Sequence, residues 1–182
     1  MVETQVRRAQ LGDAAALALV GQASFLETYT ELLPGDAIVE HCQRTHSVDD
    51  YRRWLKDPQC AIWLAETTPC GAPIGYAVVT PPDLADADAT RDLELQRIYL
   101  LHRYQGRGLG HALLRQAADY ATHRGAARLL LGVYVRNTVA LRFYRKHGFT
   151  DFSTRKFHVG SQWCDDYVLS LALPGPPLPA ES

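Results

Sequence analysis

Two stretches of this chain combine glycines, arginines and cap-forming residues in patterns that can hold an anion. In Tyr104-Gln105-Gly106-Arg107-Gly108-Leu109-Gly110, three glycines follow an aliphatic run from Leu93 to Leu101 and precede an amphipathic run from Leu109 to His123. Leu109, Ala112, Leu113, Gln116, Ala117 and Tyr120 recur there at helical spacing and make one mostly apolar stripe. The glycines therefore occupy a strand-to-helix corner, where the backbone can bend sharply and a ligand can approach main-chain atoms. The unpaired N–H groups and positive dipole end of the following helix favour an anion such as a pyrophosphate. Arg103 and Arg107 add positive charge at the same corner.

Spacing narrows the ligand. A Walker loop needs a Lys-Ser/Thr pair after its glycines, and none follows here. A dinucleotide fingerprint reads Gly-x-Gly-x-x-Gly, whereas this run is Gly-x-Gly-x-Gly and lies past mid-chain. The second stretch runs from Val133 to Phe149 and reads as strand, cap, helix and stop. Leu129 to Val135 has the composition of a buried strand. Asn137 is placed to cap a helix whose apolar side carries Ala140, Phe143 and Tyr144, and Gly148 fits the position that ends it.

Gln105, Gly108 and Gly110 match the pattern Gln/Arg-x-x-Gly-x-Gly, and Asn137, Ala140, Tyr144, Gly148 and Phe149 match Asn-x-x-Ala-x-x-x-Tyr-x-x-x-Gly-Phe. Taken in this order, the two signatures resemble the GNAT superfamily of acetyl-CoA-dependent N-acetyltransferases. The resemblance implies that Gln105, Gly106, Arg107, Gly108, Leu109 and Gly110 hold the pyrophosphate of acetyl-CoA. It further implies that Asn137 and Ala140 lie along the pantetheine arm, and that main-chain groups of Ile98, Tyr99 and Leu100 bind it from the other side. Tyr144 would lie near the thioester sulfur, and a carboxylate upstream on the same strand, here Glu94, would handle the proton of the amine. Phe25-Leu26-Glu27-Thr28-Tyr29, Arg97-Ile98-Tyr99 and Asp165-Asp166-Tyr167 look like the bacterial polyamine (PaiA-type) branch, although Gln96 stands where that branch often has an acidic residue.

The implied fold is α/β (α+β). Its centre would be a mostly antiparallel mixed sheet of about six or seven strands, splayed between the fourth and fifth, with about four or five flanking helices. Val6-Arg7-Arg8 would open it as a strand, with Asp13 capping a helix over Ala14 to Ala23. Pro34 to Arg44 and Ser47 to Leu55 read as two more helices, and Ser47-x-x-Asp50 resembles a capping box. Ala61 to Thr67 and Ile74 to Thr80 form a hairpin around Pro69-Cys70-Gly71-Ala72-Pro73. Phe149 to Val159 and Asp166 to Leu173 would close the sheet. Alternation along Leu93 to Leu100 puts Glu94, Gln96, Ile98 and Leu100 on one face and Leu93, Leu95, Arg97 and Tyr99 on the other. One domain over residues 1–174 and a proline-rich tail over 175–182 account for the whole length.

Composition excludes several classes. A net charge of −1 gives no support to nucleic-acid binding. No apolar run suggests a membrane span, and the N-terminus does not resemble a signal peptide, so a cytoplasmic location is expected. The four cysteines, Cys42, Cys60, Cys70 and Cys164, lack Cys-x-x-Cys spacing, so reduced thiols are the default. His41, Cys42 and His46 could suggest a metal, but the two histidines do not share a helix face well, and no metal is expected. His102 and His111 flank the glycine corner as solvated rings or phosphate contacts.

The chemistry restricts what remains. A lysine-like amine of pKa about 10.4 is neutral in roughly one molecule per 2,500 at pH 7, a cost near 4.6 kcal/mol. An unshifted Glu94 could abstract its proton directly only against about 8 kcal/mol. Glu94 is thus a base with a shifted pKa, a relay to water, or an anchor for a cation. A tyrosine of pKa about 10 giving its proton outright to a thiolate of pKa about 8.5 is uphill by about 2 kcal/mol, so hydrogen bonding to sulfur suits Tyr144 better. The expected function is acetyl transfer to a primary amine of a small molecule, with a polyamine the first class to consider. The loop from Asp83 to Asp92, with Asp86 and Asp88, offers an acidic edge toward a polycation. A protein or peptide N-acetyltransferase, or a non-catalytic acyl-CoA-binding module, is the alternative, and a homodimer is compatible with either.

Overall fold

The computed structural model describes residues 2–160 and 162–175. The elements run β1 (Glu3–Arg8), α1 (Ala14–Tyr29), α2 (Gly35–Thr45), α3 (Val48–Lys56), β2 (Ala61–Thr68), β3 (Pro73–Thr80), β4 (Asp92–Leu100), α4 (Leu109–His123), β5 (Arg128–Tyr134), α5 (Thr138–Lys146), β6 (Thr150–Val159) and β7 (Gln162–Ala172). The strands form one sheet in the order β1-β2-β3-β4-β5-β7-β6. Every neighbouring pair is antiparallel except β4 and β5. This is the mixed α/β architecture that the sequence predicts. The proline-rich stretch from Pro176 onward lies outside the described residues.

Strand alternation sorts the core into two layers. Ala61, Trp63 and Ala65 of β2 and Ala77 and Val79 of β3 pack with Leu113, Leu114, Ala117 and Ala121 of α4. Their neighbours Ile62, Leu64, Tyr76 and Val78 pack on the other face against Leu17, Ala18 and Val20 of α1 and Tyr51 of α3. A central hairpin buried at nearly every position, and apolar from Ala61 to Ala65 and from Ile74 to Val79, fits a sheet covered on both sides. Ser47 caps α3 as expected: its hydroxyl accepts from Asp50 N at 3.1 Å, and Asp50 Oδ2 accepts from Ser47 N at 3.1 Å.

Two local expectations change. Helix α1 continues past Ala23 to Tyr29, because Phe25 inserts into a cluster with Ile38, Val159 and Cys164 that the local sequence could not show. Asp13 precedes α1 without capping it through its side chain. The carboxylate instead accepts from Gln10 N at 2.7 Å and from both terminal nitrogens of Arg7 at 2.8 and 2.9 Å.

The sheet opens where it matters. β4 and β5 pair only over Asp92↔Arg128, Leu93↔Leu129 and Glu94↔Leu130. Asp92, 3% exposed, clamps this closed end through a bidentate bond from Arg128, at 2.8 and 2.7 Å. Beyond Glu94 the two strands diverge, and β4 presents an unpaired edge inside the sheet.

A bulge at the same point revises the alternation along β4. Arg97 pairs with Val78 but Leu95 with Val79, so Gln96 is the extra residue. Leu93, Leu95, Ile98 and Leu100 all pack into the α4 layer, while Tyr99 packs with the α1 layer. Glu94 thus shares a face with Arg97 and Tyr99 rather than with Ile98 and Leu100. The bulge resets the period of two that the sequence reading had carried unbroken through the strand.

Candidate active site

The opening between β4 and β5 forms the floor of a cleft of about 1260 Å³, walled by the end of α1, the glycine corner and α5. Gly106 and Gly108 take φ of +74° and +82°, and Gly108 is the N-cap of α4. Nothing lies within 4 Å of where a Cβ would sit on either, so backbone conformation rather than crowding calls for glycine there. Ala112 N is the first in α4 to bond back, to Gly108 O at 2.9 Å, which leaves the N–H groups of Leu109, Gly110 and His111 free for an anion. Gly110 serves a different purpose: a Cβ there would stand 3.4 Å from the Phe143 ring, where α4 and α5 touch.

The cleft lining includes Ile98, Tyr99, Leu100, Gln105, Gly106, Gly108, Gly110, Asn137, Ala140 and Tyr144. His102 and His111 line it too. The side chains of Arg107 and Leu109 do not: Leu109 is buried in the core, and Arg107 lies over the Tyr104 ring at 5.4 Å. Asn137 Oδ1 accepts from Ala140 N at 3.1 Å, which caps α5. Gln105 Nε2 donates to Leu100 O at 3.1 Å and pins the corner to the end of β4. Tyr144 is 8% exposed at the cleft wall, and burial holds its phenol well above the usual tyrosine range.

A second cavity, of about 360 Å³, adjoins the cleft on the α1 side of the sheet. Phe25, Tyr29, Tyr99, Tyr134 and Phe157 give it aromatic walls, and His41, His46, Arg97, Arg155 and Asp166 give it polar ones. Five residues line both spaces: Tyr29, Gln96, Arg97, Tyr99 and Gly132. The Arg155 guanidinium occupies the volume that a side chain on Gly132 would take. Burial, reinforced by the charge of Arg97, lowers His41 to about 4 and His46 to about 2, so both rings are neutral near pH 7. Burial also raises the Tyr29 phenol to about 12.

Glu94 is 1% exposed and lines neither space. Its Oε2 accepts from Asp83 N at 2.8 Å, and its Oε1 lies 3.9 Å from Arg155 Nη1. Burial raises its carboxyl above the usual range, with the Asp83 N–H and Arg155 opposing. Arg155 Nε donates to Asp166 Oδ2 at 3.2 Å, so Glu94, Arg155 and Asp166 form a chain from behind the strands to the cavity wall. Asp166, 5% exposed, also has its carboxyl raised by burial. Gln96 Oε1 is the one buried side-chain polar atom without a hydrogen-bond partner among the described residues.

Sequence reasoning missed most of the second cavity. Arg97 entered only through a short motif of the polyamine-branch resemblance and Gln96 only as a departure from it, neither as a cavity wall, and His41 and His46 only as a weak metal pair. Their rings lie 5.7 Å apart, yet among the described residues no group of three or more His, Cys, Asp or Glu could hold a metal ion. Asp166 lay in a motif singled out from sequence, but its closeness to Glu94 depends on β7 pairing with β5. No helix among the described residues is long and apolar enough to cross a membrane. All four cysteines are free.

Comparison with known proteins agrees with this geometry. Residues 24–149 match the model of the acetyltransferase (GNAT) family. An uncharacterised N-acetyltransferase of Mycobacterium bovis is 34% identical over 157 residues, which cover 86% of this chain and 96% of that protein. Among solved structures, the PaiA N-acetyltransferase of Thermoplasma acidophilum in complex with coenzyme A superposes with a TM-score of 0.76 at 21% identity, covering 93% of this chain and 99% of that one. YncA of Salmonella typhimurium with acetyl-CoA gives 0.72 at 24% identity, covering 99% of each. The free amides at the start of α4 and the open edge of β4 suit a pyrophosphate and an extended pantetheine. The chain belongs to the GNAT family, as an N-acetyltransferase that uses acetyl-CoA as its cosubstrate.

Proposed function

We propose that this enzyme acetylates the primary amine of a small molecule held in the aromatic-walled cavity, by direct attack on acetyl-CoA in a ternary complex. The observation that carries this reading is the junction of the two spaces at Tyr29, Gln96, Arg97, Tyr99 and Gly132, where β4 and β5 part. An amine entering from the cavity meets a thioester entering from the cleft there. A bond forms between the amine nitrogen and the carbonyl carbon, the C–S bond breaks, and one proton leaves nitrogen as one reaches the departing sulfur. Tyr144 donates a hydrogen bond to that sulfur; its raised pKa suits holding the proton better than surrendering it. Asp166 lies on the cavity wall as the carboxylate bonded to Arg155, and Glu94 acts behind it by fixing Arg155. Glu94 is a positioning residue in this reading rather than a direct base.

A volume near 360 Å³ suits a small molecule and is at the low end of ligand pockets generally. Beside the cavity, Ile38 and Cys42 of α2 pack with Phe157, Val159 and Cys164 of β6 and β7, which leaves no open groove there for an extended peptide. The polyamine reading draws on the resemblance to the PaiA-type branch and on the acidic loop. In that loop Asp92 is committed to Arg128 and Asp88 to Thr90, and no loop residue lines either space. Free-thiol release from acetyl-CoA across a panel of polyamines, monoamines, amino acids and peptides tests the proposal. Turnover with a small amine is expected. Turnover restricted to peptides would transfer the enzyme to the protein-acetylating class.

A further inference from the structure

Four arginines are not exposed among the described residues: Arg7, Arg97, Arg128 and Arg155. Three are paired with carboxylates: Arg7 with Asp13 and Glu66, Arg128 with Asp92, and Arg155 with Asp166. Arg97 has no carboxylate within 4.0 Å among the described residues, and it lines the acceptor cavity. Its neighbours are neutral. Nη1 donates to Tyr51 Oη at 3.0 Å and lies 3.3 Å from His46 Nδ1, and Nη2 donates to Thr45 O at 2.6 Å. The guanidinium rests on the Trp54 and Tyr51 rings at 4.7 and 5.5 Å. These contacts orient the group and leave Nε–H and one Nη2–H without an acceptor among the described residues. Desolvating a guanidinium is costly unless an anion meets it, so an oriented, unpaired one facing a ligand cavity implies that the ligand brings the charge.

The charge of the whole cavity points the same way. Arg44, Arg53, Arg97 and Arg155 line it, against only Asp50 and Asp166. Asp50 is already engaged by Arg53 and Ser47, and Asp166 by Arg155. A polycation would find no free carboxylate, whereas a carboxylate would find a free guanidinium. The bulge supplies the second recognition element. Consecutive strand residues ordinarily face opposite sides, but with Gln96 bulged, Gln96 and Arg97 line the same cavity. The unpartnered Gln96 Oε1 is an acceptor suited to an amine N–H, next in sequence to a guanidinium suited to a carboxylate.

We infer that the acceptor is an amino acid, a small molecule whose primary amine is read by Gln96 and whose carboxylate is read by Arg97. This rests on the acetyltransferase reading and narrows its substrate class. The test measures kcat/KM by thiol release for amino acids with aromatic or aliphatic side chains, beside the carboxamide and decarboxylated amine of each and spermidine. The acid is expected to exceed its carboxamide at least tenfold, and Arg97→Gln should reduce that ratio toward one, with Arg97→Lys between because it keeps charge but loses the planar fork. Thermal melting of each variant reports whether it is folded; the wild-type ratios decide the matter if one is not. Equal or better turnover of carboxamides, decarboxylated amines or spermidine would overturn the amino-acid assignment and leave the acetyltransferase reading standing. Absence of thiol release with every amine tested would overturn both.

Discussion

The cleft and the cavity that meet at the β4–β5 opening are built on different principles. The cleft offers mostly main chain: the free N–H groups at the start of α4, two glycines at positive φ, and the unpaired edge of β4. The cavity offers side chains drawn from α1, α2, α3, β4, β5, β6 and β7, several of them aromatic and several charged. Main-chain recognition suits a cosubstrate whose phosphates and amide arm never vary. Side-chain recognition suits an acceptor that must be told from its analogues, because unmatched buried polar groups penalise the wrong ligand.

The division can be broken first at the glycine corner. Gly108→Asp places a negative charge beside the α4 amides, and acetyl-CoA affinity measured by calorimetry should fall at least a hundredfold, about 2.7 kcal/mol. Gly108→Asn, of similar size but neutral and tolerant of the left-handed region, should retain most of the binding, because nothing lies within 4 Å of the new Cβ. Equal losses in both would mean that the site depends on glycine's flexibility rather than on the sign of the charge.

Tyr144→Phe probes the seam between the two regions. Turnover should drop about ten- to a hundredfold, the range of a hydrogen bond to a charged partner, while acetyl-CoA affinity stays within about twofold. A variant as active as wild type across pH 6 to 9 would reduce Tyr144 to packing against Phe143 and Phe149.

A third test concerns stability rather than binding or turnover, and it falls on the cavity's neutral histidines. His41 titrates near 4 when folded and near 6.5 when unfolded, so between these values the unfolded chain binds more protons. The stability it contributes above pH 6.5 is therefore lost as pH falls toward 4, by about 3 kcal/mol at most. Glu94 and Asp166, with raised values, act in the opposite sense in acid. His41→Phe keeps the stacking on Phe25 (ring centroids 4.4 Å apart) and removes the titration, so urea unfolding should show a shallower decline between pH 6.5 and 4. An unchanged decline would place the acid sensitivity elsewhere.

The two regions also differ in how far they could be read from the chain alone. Gly106, Gly108 and Gly110 announced the cleft because a strand-to-helix corner is local: its φ angles, cap and dipole are set by residues adjacent in sequence. Asn137 as the cap of α5, Ser47 with Asp50 as a capping box, and the hairpin of β2 and β3 were legible for the same reason. Glu94 was located on the right strand but assigned to the wrong face, since one bulged residue, Gln96, reverses every later side chain. Reading Arg97 as cavity wall required knowing that α2 and α3 fold over β4 to surround it with Thr45, His46, Tyr51 and Trp54.

The sequence by itself determined the acetyl-CoA signatures, the order of the elements and the family, all carried by short-range patterns of glycine, cap and hydrophobic period. Tertiary structure alone decided where β4 and β5 part, which carboxylates Arg155 joins, and which of the arginines that are not exposed has no carboxylate partner among the described residues. Those outcomes depend on pairing and desolvation between residues far apart in the chain. Whether the charges of Arg97 and Arg155 are matched is a property of the packed surroundings, and no local spacing encodes it.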